Sequence, residues 1–215
     1  MADHVLAPDG TSLPVRTVRA RGATATLVLA HGAGSSMRHP SLVHLQDGLA
    51  ARGVTVVTFD FPYRARGGGA PDRMPALVAA YAAVIAAVRP DRPARLFVGG
   101  RSLGGRAASH LAAEGPPVDG LVFVAFPLHP PGKPGTSRAD HLATIRAPML
   151  FIQGTRDTFA RFDLLTNVVS ALPMATLHAI PDADHGLHVP KRSGRTDADV
   201  LDETITTITA WIGHP

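Results

Sequence analysis

The chain has 215 residues, 45% of them hydrophobic and 18% charged, with aromatics at 5%, no cysteine and a formal charge of +4. That composition excludes a wholly disordered chain, disulfides, thiolate zinc sites and a cysteine nucleophile. The basic excess is arginine, because Lys133 and Lys191 are the only lysines. These arginines stand singly among few aromatics, which is poor material for a nucleic-acid surface.

Met1-Ala2-Asp3-His4 lacks the basic and apolar regions of a signal peptide. The longest strongly apolar stretch, Leu77–Val88, is well short of the roughly 20 residues of a membrane helix. The expectation is a soluble, non-exported, cytoplasmic protein with no membrane partner. Before Ala25, the turn signal Asp9-Gly10 predicts a short antiparallel strand pair at a sheet edge. Apolar runs follow at Ala25–Ala30, Val54–Phe59, Arg95–Gly99, Leu121–Phe126, Met149–Gln153 and Ala175–Ile180, each with room behind it for a crossover helix. Leu77, Val78, Tyr81, Val84, Ile85 and Val88 mark one face of a helix with Pro75 near its start. Val200, Leu201, Ile205, Ile208, Trp211 and Ile212 mark another. Continuous apolar strands alternating with amphipathic helices predict the α/β class: a doubly wound, mostly parallel sheet with helices on both faces, one domain over residues 1–215.

In such a sheet ligands bind beyond the carboxyl ends of the strands. After the third apolar run comes Gly99-Gly100-Arg101-Ser102-Leu103-Gly104-Gly105, which contains G-x-S-x-G between a strand and an Ala-rich helix. Glycines two residues either side of the serine let the chain pass closely through a strained strand-to-helix turn that exposes the hydroxyl. The bland alternative is a serine that caps the helix. A nucleophilic serine needs a base, and the base an orienting acid. Asp157 and His185 each follow a later strand, in the chain order serine, acid, histidine. Asp157 has an alternative as the N-cap of a helix around Asp163–Leu172, and His185 as an exposed loop residue. Asp182 and Asp184 are too local to reach behind the His185 ring, and His188 is the fallback base. A metal reading of Asp182, Asp184, His185 and His188 has no helix face to arrange it and no second cluster, so no metal is expected. The loop His31-Gly32-Ala33-Gly34 is expected to supply one oxyanion donor, Ala33 or alternatively Gly34, and the Leu103 N–H the other.

The chain resembles the α/β-hydrolase superfamily, in particular its small lidless members similar to dienelactone hydrolases, and the group that includes testis-expressed protein 30 and the NSL-complex subunit 3 proteins. The shared strings are His31–Gly34, Phe59–Arg64, Gly99–Arg106, Gln153–Asp157 and Asp184–Gly186, within a likeness spanning residues 23 to 212. The resemblance implies an α/β-hydrolase fold, a triad of Ser102, Asp157 and His185, and oxyanion donors Ala33 and Leu103. Dienelactone hydrolases proper use a cysteine nucleophile, which this chain lacks, so their particular substrate does not carry over.

Arg101 carries two readings: a structural ion pair under the elbow, or a carboxylate clamp for an anionic substrate together with Arg64. Asp60 and Tyr63 are expected to fix the loop after their strand. The stretch Pro127 to Ile145 is too short for a cap domain, which predicts an open site for small or water-soluble substrates. The expected function is a cofactor-free serine hydrolase acting on a small ester, with a thioester, an amide or perhydrolysis as variants of the same chemistry. The alternative from another class is a non-catalytic interaction module on this scaffold.

Overall fold

Each apolar run of the sequence becomes a strand of one eight-stranded sheet in the computed structural model, which describes residues 3–89 and 94–214. The strands are β1 (His4–Leu6), β2 (Ser12–Val18), β3 (Ala25–Ala30), β4 (Thr55–Phe59), β5 (Arg95–Arg101), β6 (Gly120–Val124), β7 (Met149–Gly154) and β8 (Ala175–Ile180). They lie in the order β1-β2-β4-β3-β5-β6-β7-β8. The expected antiparallel pair, β1 and β2, forms one edge, and β2 joins β4 antiparallel. All the remaining pairings are parallel. The order reverses at β3, between β4 and β5, so the crevice for a ligand opens at the carboxyl ends of β3 and β5.

Two strand ends differ from expectation by two residues, each for a local reason. The run Leu121–Phe126 stops at Val124 because Ala125 turns to a left-handed φ of 54°. The run Arg95–Gly99 continues to Arg101, since Gly100 and Arg101 still pair with Phe123 and Val124 of β6.

The helices are α1 (Pro40–Ala51), α2 (Pro62–Ala65), α3 (Met74–Val88), α4 (Leu103–Glu114), α5 (Phe162–Ser170) and α6 (Asp197–Gly213). Helices α1 and α6 cover one face of the sheet, burying Leu42, Leu45, Leu49, Ile205, Ile208 and Ile212 against Leu27, Leu29 and Ile152. Helices α3, α4 and α5 cover the other, with Leu77, Tyr81, Val84, Leu111 and Leu165 packed among Val28, Val98 and Phe123. Each fully buried side chain of this size contributes about 1.5–3 kcal/mol of transfer free energy. On α3, Ala80 takes the buried place expected of Val78, which is only half-buried. The stretch after β6 runs through turns into a 3₁₀ segment at Ser137–Thr144 and builds no cap over the sheet. Among the described residues, no helix is long and apolar enough to cross a membrane.

One buried polar contact joins a helix to the centre of the sheet. The Tyr81 hydroxyl lies 2.6 Å from the Val28 carbonyl and 2.8 Å from that of Gly99, and it accepts the Gly99 N–H at 3.0 Å. Burial raises the pKa of this phenol, so it stays a donor. The contact is made three residues before Ser102, on the strand that carries it.

A second polar cluster sits where α4 meets the 3₁₀ segment. His141 Nε2 lies 2.8 Å from Ser109 Oγ, and the His141 and His110 rings stack at 3.8 Å. Burial, then the charges of His110 and Arg106, push His141 down to about 4. An unfolded histidine titrates near ~6.5, so between those values the unfolded chain binds the extra proton. Stability carried by neutral His141 is therefore present above pH ~6.5 and lost as the pH falls through about 4. Urea midpoints measured between pH 7 and 4 are expected to fall, and to fall less steeply in His141→Asn. Equal slopes would remove His141 from the account.

Candidate active site

Ser102 is the N-cap of α4, held at φ 50° and ψ −114°, a conformation costly for a residue with a Cβ. Its amide bonds the Val124 carbonyl at 3.0 Å and its carbonyl accepts from Arg106 N at 3.2 Å, which ties the turn to β6 and to the first turn of α4. The flanking glycines are steric requirements. A Cβ on Gly100 would lie 2.5 Å from the Ala30 carbonyl oxygen, and one on Gly104 would lie 2.3 Å from the same atom. The elbow and the end of β3 are thus in backbone contact, with room for hydrogen only.

The structure brings Ser102, His185 and Asp157 together from the ends of β5, β8 and β7. His185 Nε2 is 2.9 Å from Ser102 Oγ, and His185 Nδ1 is 2.7 Å from Asp157 Oδ2. The Asp157 carboxylate is buried. It also accepts the Gln153 side-chain amide at 2.5 Å and the Phe159 N–H at 2.7 Å. These donors fix the orientation of the carboxylate. A carboxylate at Nδ1 puts the imidazole proton there and leaves Nε2 as the acceptor facing the serine hydroxyl. Phe159 lies over the imidazole at 4.3 Å between centroids and restrains its plane. Asp157 does not cap the following helix, whose N-cap is Arg161.

The rivals are engaged elsewhere. His188 is exposed and ion-paired to Asp197 at 2.8 Å, which raises its pKa. Asp184 Oδ1 accepts from the amides of Gly186 and His188, and so shapes the loop that carries His185. The Asp182 N–H donates to Thr155 Oγ1. Among the described residues, no three His, Asp or Glu side chains are placed to hold one metal ion.

The loop after β3 comes against the elbow. A Cβ on Gly32 would lie 3.6 Å from Ser102 Cβ. The Ser35 N–H to Gly32 carbonyl bond at 3.2 Å closes a turn over Ala33 and Gly34, with Gly34 at φ 67°. That is the position of a four-residue turn where a positive φ favours glycine. Leu103 opens α4, so its N–H is among those left without an acceptor inside the helix.

Several residues that position these groups were not singled out from sequence. His31 is buried, donates from Nδ1 to the Gly32 carbonyl at 2.8 Å and accepts the Phe61 N–H on Nε2 at 3.1 Å. Burial lowers its pKa, and the neutral ring cross-braces the loops after β3 and β4. Asp60 accepts the Met37 N–H at 2.7 Å, and Tyr63 lies 3.5 Å from the Gly32 carbonyl, consistent with their expected part in fixing this region. His129 accepts the Arg161 N–H, which fastens the loop after β6 to the one carrying Asp157. A polar residue ending the apolar run Met149–Gln153 was the available signal for Gln153. His31 and His129 offered no comparable signal.

Arg64 donates to the Gly68 carbonyl at 3.1 Å, and its Nε is buried without a partner. Arg101 donates to Ser41 Oγ at 3.0 Å and to the His185 carbonyl at 3.3 Å. The two guanidiniums share no hydrogen-bond partner, and both of these Arg101 bonds go to uncharged oxygens.

Residues 23–213 match the family model described as an alpha/beta hydrolase domain. Among solved structures, the chain is similar to an alpha-beta serine hydrolase homologue from Coxiella burnetii, with 20% identity, a TM-score of 0.77 and 95% of each chain covered. It is also similar to a serine hydrolase without lid from Xanthomonas campestris, with 24% identity, a TM-score of 0.73, and 97% of this chain and 93% of that one covered. A dienelactone hydrolase from Anabaena variabilis matches with 22% identity and a TM-score of 0.77, covering 100% of this chain and 96% of that one.

Proposed function

The chain belongs to the alpha/beta hydrolase family, and from that premise we propose that it is a serine hydrolase that cleaves a small ester through an acyl-enzyme. The observation that carries the reading is the hydrogen-bonded series from Ser102 Oγ through His185 to a buried Asp157, at 2.9 and 2.7 Å. Its serine is held in a strained turn that points the hydroxyl toward a base.

Ser102 Oγ bonds to the substrate carbonyl carbon while its proton passes to His185 Nε2. The carbonyl oxygen gains the electron pair, and the N–H groups of Ala33 and Leu103 receive it. Collapse of that intermediate breaks the bond to the alcohol, which leaves with the proton from His185. Water then gives a proton to His185 and attacks the acyl carbon, and the acid departs as Ser102 recovers its proton. Asp157 keeps the imidazole in the required tautomer and stabilises its charged form. With no cap above the sheet, short and water-soluble esters fit this site better than long acyl chains.

Labelling with a fluorophosphonate, followed by intact mass and peptide mapping, tests the reading. One adduct on Ser102, absent from Ser102→Ala, is the expected result. Folded protein that takes no adduct would replace the enzyme by an interaction module on the same scaffold.

A further inference from the structure

A cavity of about 430 Å³, whose lining does not include Ser102, lies between the N-terminal parts of α1 and α6. That volume is within the roughly 300–1,000 Å³ of small-molecule sites. Its walls are mostly aliphatic, with Leu42, Leu45, Val124, Leu187, Val200 and Leu201 prominent among them. Its polar side chains are His39, Ser41, His44, Arg101, Asp197 and Thr204, and two of them bear on what the cavity takes. Arg101 is half-buried, and its hydrogen bonds go to the neutral oxygens of Ser41 and the His185 carbonyl. Asp184 and Asp157 act on its guanidinium only through space. The other group is the Thr204 hydroxyl, which is buried without a hydrogen-bond partner. The remaining acidic lining residue, Asp197, is already paired with His188.

A desolvated cation that lacks a contacting counter-ion is costly, and it rewards an anion that can reach it. A single guanidinium suits a monoanion, and aliphatic walls suit a hydrocarbon chain. We infer that this cavity is a second ligand site, which takes an aliphatic monocarboxylate with its head on Arg101 and its chain between α1 and α6. Two bonds leave the guanidinium with unused N–H donors for the carboxylate. The site also touches the catalytic loop, because Gly186 and Leu187 line it and Arg101 holds the carbonyl of His185. A carboxylate competing for that guanidinium therefore bears on the segment that presents the imidazole.

Isothermal titration of the full chain with sodium octanoate, and with 1-octanol as the neutral counterpart, tests the inference. Octanoate is expected to bind at one site, with 1-octanol about tenfold or more weaker. Arg101→Met is expected to weaken octanoate by a similar factor, and Leu201→Trp, which fills the cavity from a partly exposed position on α6, to abolish binding. If Arg101→Met does not fold, Leu201→Trp and the octanol comparison carry the test. Absence of octanoate binding, equal affinity for acid and alcohol, or undiminished binding by Leu201→Trp would each overturn it. So would displacement of octanoate by a phosphonate on Ser102, which would locate the acid in the catalytic cleft. Calorimetry reads binding alone, so the result is independent of whether Ser102 turns over a substrate.

Discussion

Asp157→Asn is expected to lower kcat for a short-chain p-nitrophenyl ester on the order of 10⁴-fold while the melting curve stays close to wild type. The carboxylate has three donors to satisfy: Phe159 N–H on Oδ1, with the Gln153 amide and His185 Nδ1 both on Oδ2. An asparagine of the same shape has one acceptor oxygen. The backbone N–H of Phe159 cannot rotate, so it claims that oxygen and turns the new NH₂ group toward Gln153 and His185. Gln153 can answer by flipping its own amide, whose Oε1 is buried without a partner. His185 can answer only by moving its proton from Nδ1 to Nε2, where it can no longer take the one on Ser102. A kcat within tenfold of wild type would mean that Asp157 does not set the tautomer.

Gly104→Ala is expected to destabilise the fold by about 3 kcal/mol or more, which lowers the melting temperature by roughly 6–12 °C for a chain of this size. Helix propensity alone predicts the opposite sign, because alanine is favoured over glycine in a helix by about 1 kcal/mol. The added methyl, however, would lie 2.3 Å from the Ala30 carbonyl oxygen and 2.8 Å from that of His31. Both are main-chain atoms of the segment leading into the Gly32–Gly34 loop, so no side chain can swing aside. Gly69→Ala is the control. That glycine is exposed, has no atom within 4 Å of an added Cβ, and is expected to change stability by less than about 0.5 kcal/mol. Equal melting curves for the two variants would show that the elbow yields to the methyl.

Most of the sheet was legible because its central strands are buried on both faces and so are written as unbroken apolar runs. Errors fell at ends, where chain geometry rather than hydropathy decides. Ala125 and Phe126 are fully buried, as their character demands, yet the left-handed turn at Ala125 removes them from β6. The family was legible because the elbow's glycines are required by contacts that leave no alternative residue. Ser102, Asp157 and His185, which the structure joins by hydrogen bonds, were named from order and placement, since each follows a strand and strands end at one rim. What supports them was not. Nothing local to His31 says that it will meet Phe61, and Tyr81 reads as one more apolar position on a helix, although its hydroxyl joins two strands. Such partners are distant in sequence and come together only when the sheet is assembled. The cavity at Arg101 was hidden for the same reason, because its walls come from α1, β6 and α6.

The Tyr81 hydroxyl bond has a consequence for how the molecule fails. It pins the strand leading to Ser102 into the middle of the sheet, where opening requires most of the core to come apart. His185 rides instead on a surface loop closed by the short backbone bonds of Asp184 to His188 and of Leu187 to Asp184. Ser102 and His185 thus belong to regions of unequal persistence. Warming or mild denaturant is expected to release the loop of His185 while Ser102 stays seated, so that the hydrogen bond between them is lost while circular dichroism still reads a folded chain.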